Sequence, residues 1–261
     1  LKLTAIQGNG SISLSWQAPS MGDVIEYNIY RDSIKIGTSL SNSYIDDDLN
    51  NFIMHSYTVT AQYSTGESDP SKSVSAFANS GFSSGDGSEA NPFLVSNIGE
   101  LYTVRAYLGS NFKQVADIDL GVSPWNTGEG WEPIGGDFTG TYDGGGYAIS
   151  NLTMNRPLES NVGLFRSING SEFVTNIILD NVNISGKDAV GALAGWSGES
   201  NLKNISINGS IFGNNLVGGL VGSTYKLALN NCKSSGTINA TGYNIGGLTG
   251  DHFEQSNTIN S

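Results

Sequence analysis

Cysteine occurs once in the 261-residue chain, at Cys232, so no intramolecular disulfide can form and the redox compartment is left open. Histidine occurs twice, at His55 and His252, and no HExxH pattern is present. That excludes the usual zinc-peptidase chemistry and leaves the lone thiol without an evident base. Positive charge is scarce, with 12 Lys and Arg against 24 Asp and Glu and a formal net charge of −12. Nucleic acid and anionic lipid both demand clustered cations, so neither is an expected partner. No apolar run reaches the roughly 18 residues of a membrane-spanning helix, so no membrane insertion is expected of this segment. No charged leader precedes the strand-like pattern that opens at Leu1, and the chain is expected to be a piece of a longer, multidomain one.

What is plentiful is glycine, at 35 residues, together with neutral polar side chains; charged residues make up only 14%, against roughly 25% in an average globular protein. Such a composition spends its residues on turns and uncharged surface. The length allows two domains, each with its own core.

From Leu3 to about Ala76 the sequence reads as short alternating runs, "LTAIQ", "SISLSW", "IEYNIYR", "IKIG", "SYIDD" and "HSYTVTAQY", separated by turn-rich pieces such as "QGNG" and "STGESDP". Turns at intervals of roughly 8 to 12 residues predict a β-sandwich. Residues 77–90, "FANSGFSSGDGSEA", are rich in Gly and Ser and read as a linker. Beyond them, "SNIGELYTVRAYLG" predicts one short helix, capped by Asn97 with Glu100 reciprocating and with Leu101, Val104 and Leu108 on one face.

The remainder repeats itself. Val162-Gly163, Val190-Gly191, Val217-Gly218 and Ile245-Gly246 are separated by 28, 27 and 28 residues, and a second phrase begins at Asn176, Asn204 and Asn231. A fixed period with three short alternating runs per repeat predicts a parallel β-helix, each period forming one triangular coil. On this reading Val162, Val190, Val217 and Ile245 stack inside the tube, with Leu164, Leu193, Leu220 and Leu248 as a second buried column. Asn151, Asn176, Asn204 and Asn231 are expected to form an amide ladder, and Cys232 to lie in the interior beside Leu152, Ile177 and Ile205.

Two resemblances follow from these residues. Trp16, Pro19, Tyr27, Tyr30, Leu49 and Tyr57, the last placed for a tyrosine corner, fall in the order of a fibronectin type III domain, which the first 76 residues resemble. The segments "GDGSEANPFLVSNIGEL", "FKQVADIDL", "WEPIGG", "FTGTYDGGGYAISNLTM" and "NVGLF" resemble the GLUG-type β-helix of bacterial surface proteins, which also occurs beside the IgA-cleaving metallopeptidases of streptococci. The resemblance implies a secreted or cell-surface bacterial protein with adhesive roles and brings no catalytic residues with it. The expected organisation is therefore a sandwich over 1–76, a linker over 77–90 and a GLUG-type β-helix over 91–261, truncated at its C-terminal end.

Candidate chemistry is sparse. Asp117 and Asp119 alternate so as to share one face, with Asp143 as a third carboxylate, a pattern that can serve glycoside cleavage but equally suits turn and backbone hydrogen bonds. Asp46, Asp47 and Asp48 are candidates for calcium, although "DDDLN" lacks the alternating ligand spacing of a calcium loop. Trp196, Tyr225 and Phe253 each follow the small apolar phrase and are expected to emerge near one corner on successive rungs, where exposed rings could stack on sugars or grip a protein; Trp125 and Trp131 in "GVSPWNTGEGWEPIGG" have similar status. That Trp196, Tyr225 and Phe253 cover the tube's corner and pack on each other is the competing reading.

The expectation is thus a noncatalytic adhesion or ligand-binding segment without a cofactor, its partner a host or microbial surface glycan or protein. A carbohydrate-active β-helix enzyme and an accessory region of a secreted peptidase are the alternatives.

Overall fold

The computed structural model describes residues 1–20, 22–51, 53–79, 81–170 and 173–251. The chain is all-β apart from one short helical stretch and divides into two compact units, Leu1–Gly81 and Phe82–Ser261.

In the first unit, Leu3–Gly8, Ser11–Trp16 and Ser43–Asp46 form an antiparallel sheet. A second antiparallel sheet runs Ile34–Ser39, Glu26–Arg31, Met54–Tyr63, Gly66–Glu67, with Val74–Phe77 also paired to Met54–Tyr63. Strict alternation in "SISLSW" turns Ile12, Leu14 and Trp16 inward, where they meet Tyr27, Ile29, Tyr57 and Val59 of the other sheet in one core. The indole of Trp16 meets the Tyr27 ring edge-on at 5.2 Å. Tyr57 is not directed at a backbone group by its hydroxyl, as a tyrosine corner would be; the hydroxyl donates to the Asp46 carboxylate at 2.7 Å.

The second unit is a parallel β-solenoid. Its strands stack into three sheets whose ladders are parallel throughout. One face runs Ile134–Phe138, Phe165–Asn169, Ala194–Gly198, Val221–Tyr225, and a narrow one runs Asp188–Val190, Asn215–Gly218, Ile245–Gly246. The third is broad and ends in two 13-residue strands, Asn201–Gly213 and Ala228–Ala240. Antiparallel contact in this unit is an isolated bridge between Gly130 and Met154, where the inserted loop folds back.

The valine column forms as the period predicts. Val162 bridges Val190, Val190 pairs with Val217, and Val217 pairs with Ile245, and the three valines are fully buried. Ile245 keeps the register but is 54% exposed, because no described rung covers its far side. Leu164, Leu193 and Leu220 are fully buried, and the Leu164, Leu193 and Leu220 amides connect their rungs to Ala192, Leu220 and Leu248 in turn. Close approach explains the glycines beside them: a Cβ on Gly222 would lie 2.3 Å from the Ala189 carbonyl carbon.

The corners are made by left-handed residues. Asn176, Asn204 and Asn231 have φ of 55°, 54° and 50°, and their side chains form the expected ladder, Asn231 donating to Asn204 at 2.9 Å and Asn204 to Asn176 at 2.9 Å. Asparagine suits this place because it tolerates the left-handed region and offers both a donor and an acceptor along the axis. Asn151 does not belong to this ladder. The rung below Asn176 supplies Asp143, which accepts from its amide at 2.8 Å, whereas Asn151 donates to Asp119 and accepts from Asn181 in a separate ladder. Leu152 is buried, but its register places it opposite Val182, one corner further along the coil, and so outside the column of Ile177, Ile205 and Cys232. Cys232 pairs with Ile205, is buried, and burial pushes its thiol pKa up.

The helix Ile98–Thr103 is capped as expected by Asn97, whose side chain accepts from the Glu100 amide at 3.0 Å. Glu100 does not reciprocate to Asn97. Its buried carboxylate accepts from the Ser96 amide and hydroxyl and from the Ser83 amide, tying the incoming chain to the helix. Leu101 and Val104 are fully buried, while Leu108 is only half-buried. Phe77 and Ala78 lie in the first unit's buried set, and Phe82 stacks on Phe93 at 4.3 Å in the second.

Candidate functional site

The acidic candidates are occupied with structure. Asp117 accepts from the Ala148 amide at 2.8 Å, Asp119 from the Gly121 amide and the Asn151 side chain, and Asp143 from the Gly145 amide and the Asn176 side chain. The Asn151 amide holds the Asp119 carboxyl below its ordinary pKa, the reverse of what a general acid needs. Between them Ile118 and Leu120 point inward and are buried. Asp119 and Asp143 brace turns, and Asp117 ties its strand to the next coil.

Asp46 is not available as a calcium ligand. It is buried, both of its oxygens receive the Arg31 guanidinium at 2.9 Å, and one also receives the Tyr57 hydroxyl. Asp47 and Asp48 are exposed on the following turn, with Asp48 left-handed at φ 55°. Among the described residues no group of three acidic, His or Cys side chains is arranged to hold a metal.

The aromatic candidates separate. Trp131 is fully buried and Trp125 nearly so, packed 5.1 Å apart and against Tyr102, with the Arg105 guanidinium 3.6 Å from the Tyr102 ring centre. Neither indole offers a face to a ligand, because the inserted loop folds them into the core. His252 and Phe253 lie outside the described residues. Trp196 and Tyr225 do not form a column: Trp196 is in register with Ser223, and Tyr225 with Gly198. Lys226 sits 4.8 Å over the Tyr225 ring while bonding Glu199, so one face of that ring is taken.

Trp196 remains as a half-exposed ring in a built setting. Asp137, Ser167, Trp196 and Ser223 are in register on four successive rungs of one face. The indole lies along its own strand over Gly198, where a Cβ would come within 2.2 Å of the ring. Glycine at 198 is therefore what lets the ring lie flat. A shallow depression of about 360 Å³ beside it is lined by Gly136, Asp137, Asn161, Arg166, Ser167 and Trp196. Arg166 is steadied by Glu159 at 3.3 Å and by the Ser160 carbonyl. Ser167 is 9% exposed, and its hydroxyl has no hydrogen-bond partner among the described residues.

An aromatic face, a guanidinium, a carboxylate, an amide and a spare hydroxyl in one depression can hold a polyhydroxylated or peptide ligand. Among these lining residues there is no nucleophile and base pair. Sequence reasoning identified Trp196 but missed its neighbours. Asp137, Ser167, Trp196 and Ser223 are 30, 29 and 27 residues apart, and the register shift between Ile134 and Asp137 breaks the fixed period that would have aligned them.

Comparison with known proteins gives partial matches. The chain is 34% identical over 152 residues to halomucin of Haloquadratum walsbyi, covering 54% of this chain and 2% of that protein. It is 31% identical over 161 residues to an immunoglobulin A1 protease of Streptococcus sanguinis, covering 59% of this chain and 8% of the protease. The chain thus spans a small fraction of the relatives it matches. No family model matches the sequence. Among solved structures, the family 28 exopolygalacturonase of Yersinia enterocolitica aligns with 97% of this chain and 63% of its own at 12% identity, with a TM-score of 0.29, too low to argue from.

Proposed function

We propose that this chain is a noncatalytic ligand-binding or adhesion segment of a secreted, surface-displayed protein. The first unit serves as a fibronectin type III-like spacer, and the solenoid, of GLUG type, serves as a stalk with a contact face. The observation that carries this reading is the Trp196 depression, where an open ring stands beside Arg166, Asn161, Asp137 and the unpartnered Ser167 hydroxyl. The commitment of one oxygen of each of Asp117, Asp119 and Asp143 to a backbone amide supports the noncatalytic side of it.

The partial match to an immunoglobulin A1 protease supports a related second reading, in which the same segment is an accessory region of a longer secreted peptidase. Both readings are tested by a glycan array and a panel of surface proteins probed with the purified chain and with Trp196→Ala. Binding by the parent that Trp196→Ala abolishes supports the contact face. A profile in which Trp196→Ala loses none of the bound glycans or proteins removes it, and turnover of any bound polysaccharide removes the noncatalytic assignment.

A further inference from the structure

A second depression lies on a different face of the solenoid, at its N-terminal end. It encloses about 360 Å³ and is lined by Asn111, Lys113, Thr141, Asp143, Phe173 and Thr175, with Glu89 and Pro92 at its rim. Its lining is ordered by the rungs. Asn111 pairs with Thr141, and Lys113 with Asp143 and then Thr175, so two outward columns run along the tube axis across three coils. Phe173 precedes Val174, the partner of Tyr142, which puts it on the rung beyond Thr141. Its ring is 55% exposed.

Three of the polar groups, Asn111, Thr141 and Asp143, are fixed in advance. The Asn111 amide donates to the Gly87 carbonyl at 3.0 Å and its oxygen accepts from the Thr141 hydroxyl at 2.7 Å. Asp143 is held through one oxygen by the Gly145 amide and the Asn176 side chain, leaving the other free to accept. No ion pair within 4.0 Å engages Lys113 among the described residues. Asn111, Thr141 and Asp143, held in this way, lose little freedom on binding, while Lys113 stays free to reach a ligand.

We infer that this groove binds a neutral oligosaccharide lying along the tube axis, one sugar per rung. Rungs stack about 4.8 Å apart, close to the length of one pyranose residue. Phe173 supplies the apolar face on which a ring's C–H bonds stack, and the ammonium, carboxylate, amide and hydroxyls supply the mixture of donors and acceptors that vicinal hydroxyl groups need. The volume lies within the roughly 300–1,000 Å³ of small-ligand sites, whereas a protein partner needs about 800 Å² of surface on each side. Glu89 and Asp143 both face the groove, and the chain carries a net charge of −12, so an acidic sugar is disfavoured. This inference adds to the binding role proposed above and uses none of the residues around Trp196.

The test is calorimetric titration of the purified chain with cello-, xylo-, manno- and chito-oligosaccharides of one to six units, with polygalacturonate oligomers as the acidic arm. In at least one neutral series affinity should rise with length to about three units and then level off. Phe173→Ala, an exposed substitution whose folding is checked by circular dichroism, should weaken that binding at least tenfold, while Tyr243→Ala, a comparably exposed ring that lines neither depression, leaves it unchanged. Failure of every neutral series, binding confined to polygalacturonate, or equal affinity of Phe173→Ala and parent would each overturn the proposal. Loss with Trp196→Ala alone would transfer the saccharide to the other face and overturn it as well.

Discussion

Asn204 sits at the middle of the asparagine ladder, and its replacement separates two contributions that the solenoid combines. The side chain donates to Asn176 and accepts from Asn231, both at 2.9 Å, and the backbone is left-handed at φ 54°. Asn204→Ala removes both hydrogen bonds, at about 0.5–1 kcal/mol each for partly exposed pairs. It also forces a Cβ-bearing residue without a local hydrogen bond into the left-handed region, at about 1–2 kcal/mol, for a total of about 2–4 kcal/mol. Asn204→Gly loses the same hydrogen bonds but adopts the corner freely, with an entropic cost of about 0.5–1 kcal/mol, and should be the milder of the two by about 0.5–1 kcal/mol. Urea unfolding followed by tryptophan fluorescence in a Trp16→Phe background reports the second unit through Trp125, Trp131 and Trp196. Because rungs stabilise one another as nearest neighbours, amide exchange should quicken first at Ile177 and Cys232. A glycine variant as unstable as the alanine variant, or an alanine variant within about 0.5 kcal/mol of the parent, would refute the corner argument.

Three further outcomes are expected. Cys232 should resist a thiol reagent in the native protein and react quickly in denaturant. Cys232→Ser should cost only about 1 kcal/mol, because the Leu202 and Asn230 carbonyls at 3.5 Å can accept its hydroxyl; rapid native labelling would contradict the interior placement. Asp46→Asn should destabilise the first unit by about 1–3 kcal/mol, the buried-pair cost reduced for the partial exposure of Arg31. Calcium should leave the parent's midpoint unchanged, and a calcium-dependent rise in that midpoint would restore the metal reading. Although burial pulls the other way, the Arg156 guanidinium at 2.7 Å and then Arg166 hold the Glu159 carboxyl below its ordinary pKa. A depressed folded pKa gives stability that is present above the unfolded value of about 4.3 and lost as pH falls below it. Glu159→Gln should flatten the acid limb of the second unit's pH-stability curve, and an unaltered limb would remove Glu159 from that balance.

The solenoid itself was legible because its physics is periodic. A residue type that returns every 27 or 28 positions stacks on itself, so Val162, Val190, Val217 and the asparagines at 176, 204 and 231 announced both the interior and one corner. The sandwich was legible through its alternation, and Asn97 through the local chemistry of a helix start. These features depend on near neighbours in sequence or on a repeat that carries one rung to the next.

What failed lies where the period breaks. The bulge between Ile134 and Asp137 sets Asp137 against Ser167, and the strand register puts Asp143, not Asn151, beside Asn176, because Asn151 lies one corner further along the same coil, opposite Asn181. Asp46 looked like part of an acidic surface triplet, yet pairing with Arg31 and Tyr57 buries it, and that pairing brings together residues 15 and 11 positions away on two other strands. Trp131 looked exposable and is fully buried, because only the folded loop brings Tyr102, Arg105 and Trp125 around it. Sequence alone determined the class of each unit and the identity of its interior columns, since repetition and alternation are local rules. Which side chains face solvent together was decided by tertiary structure, because register, bulges and insertions set those neighbours and none of them is periodic.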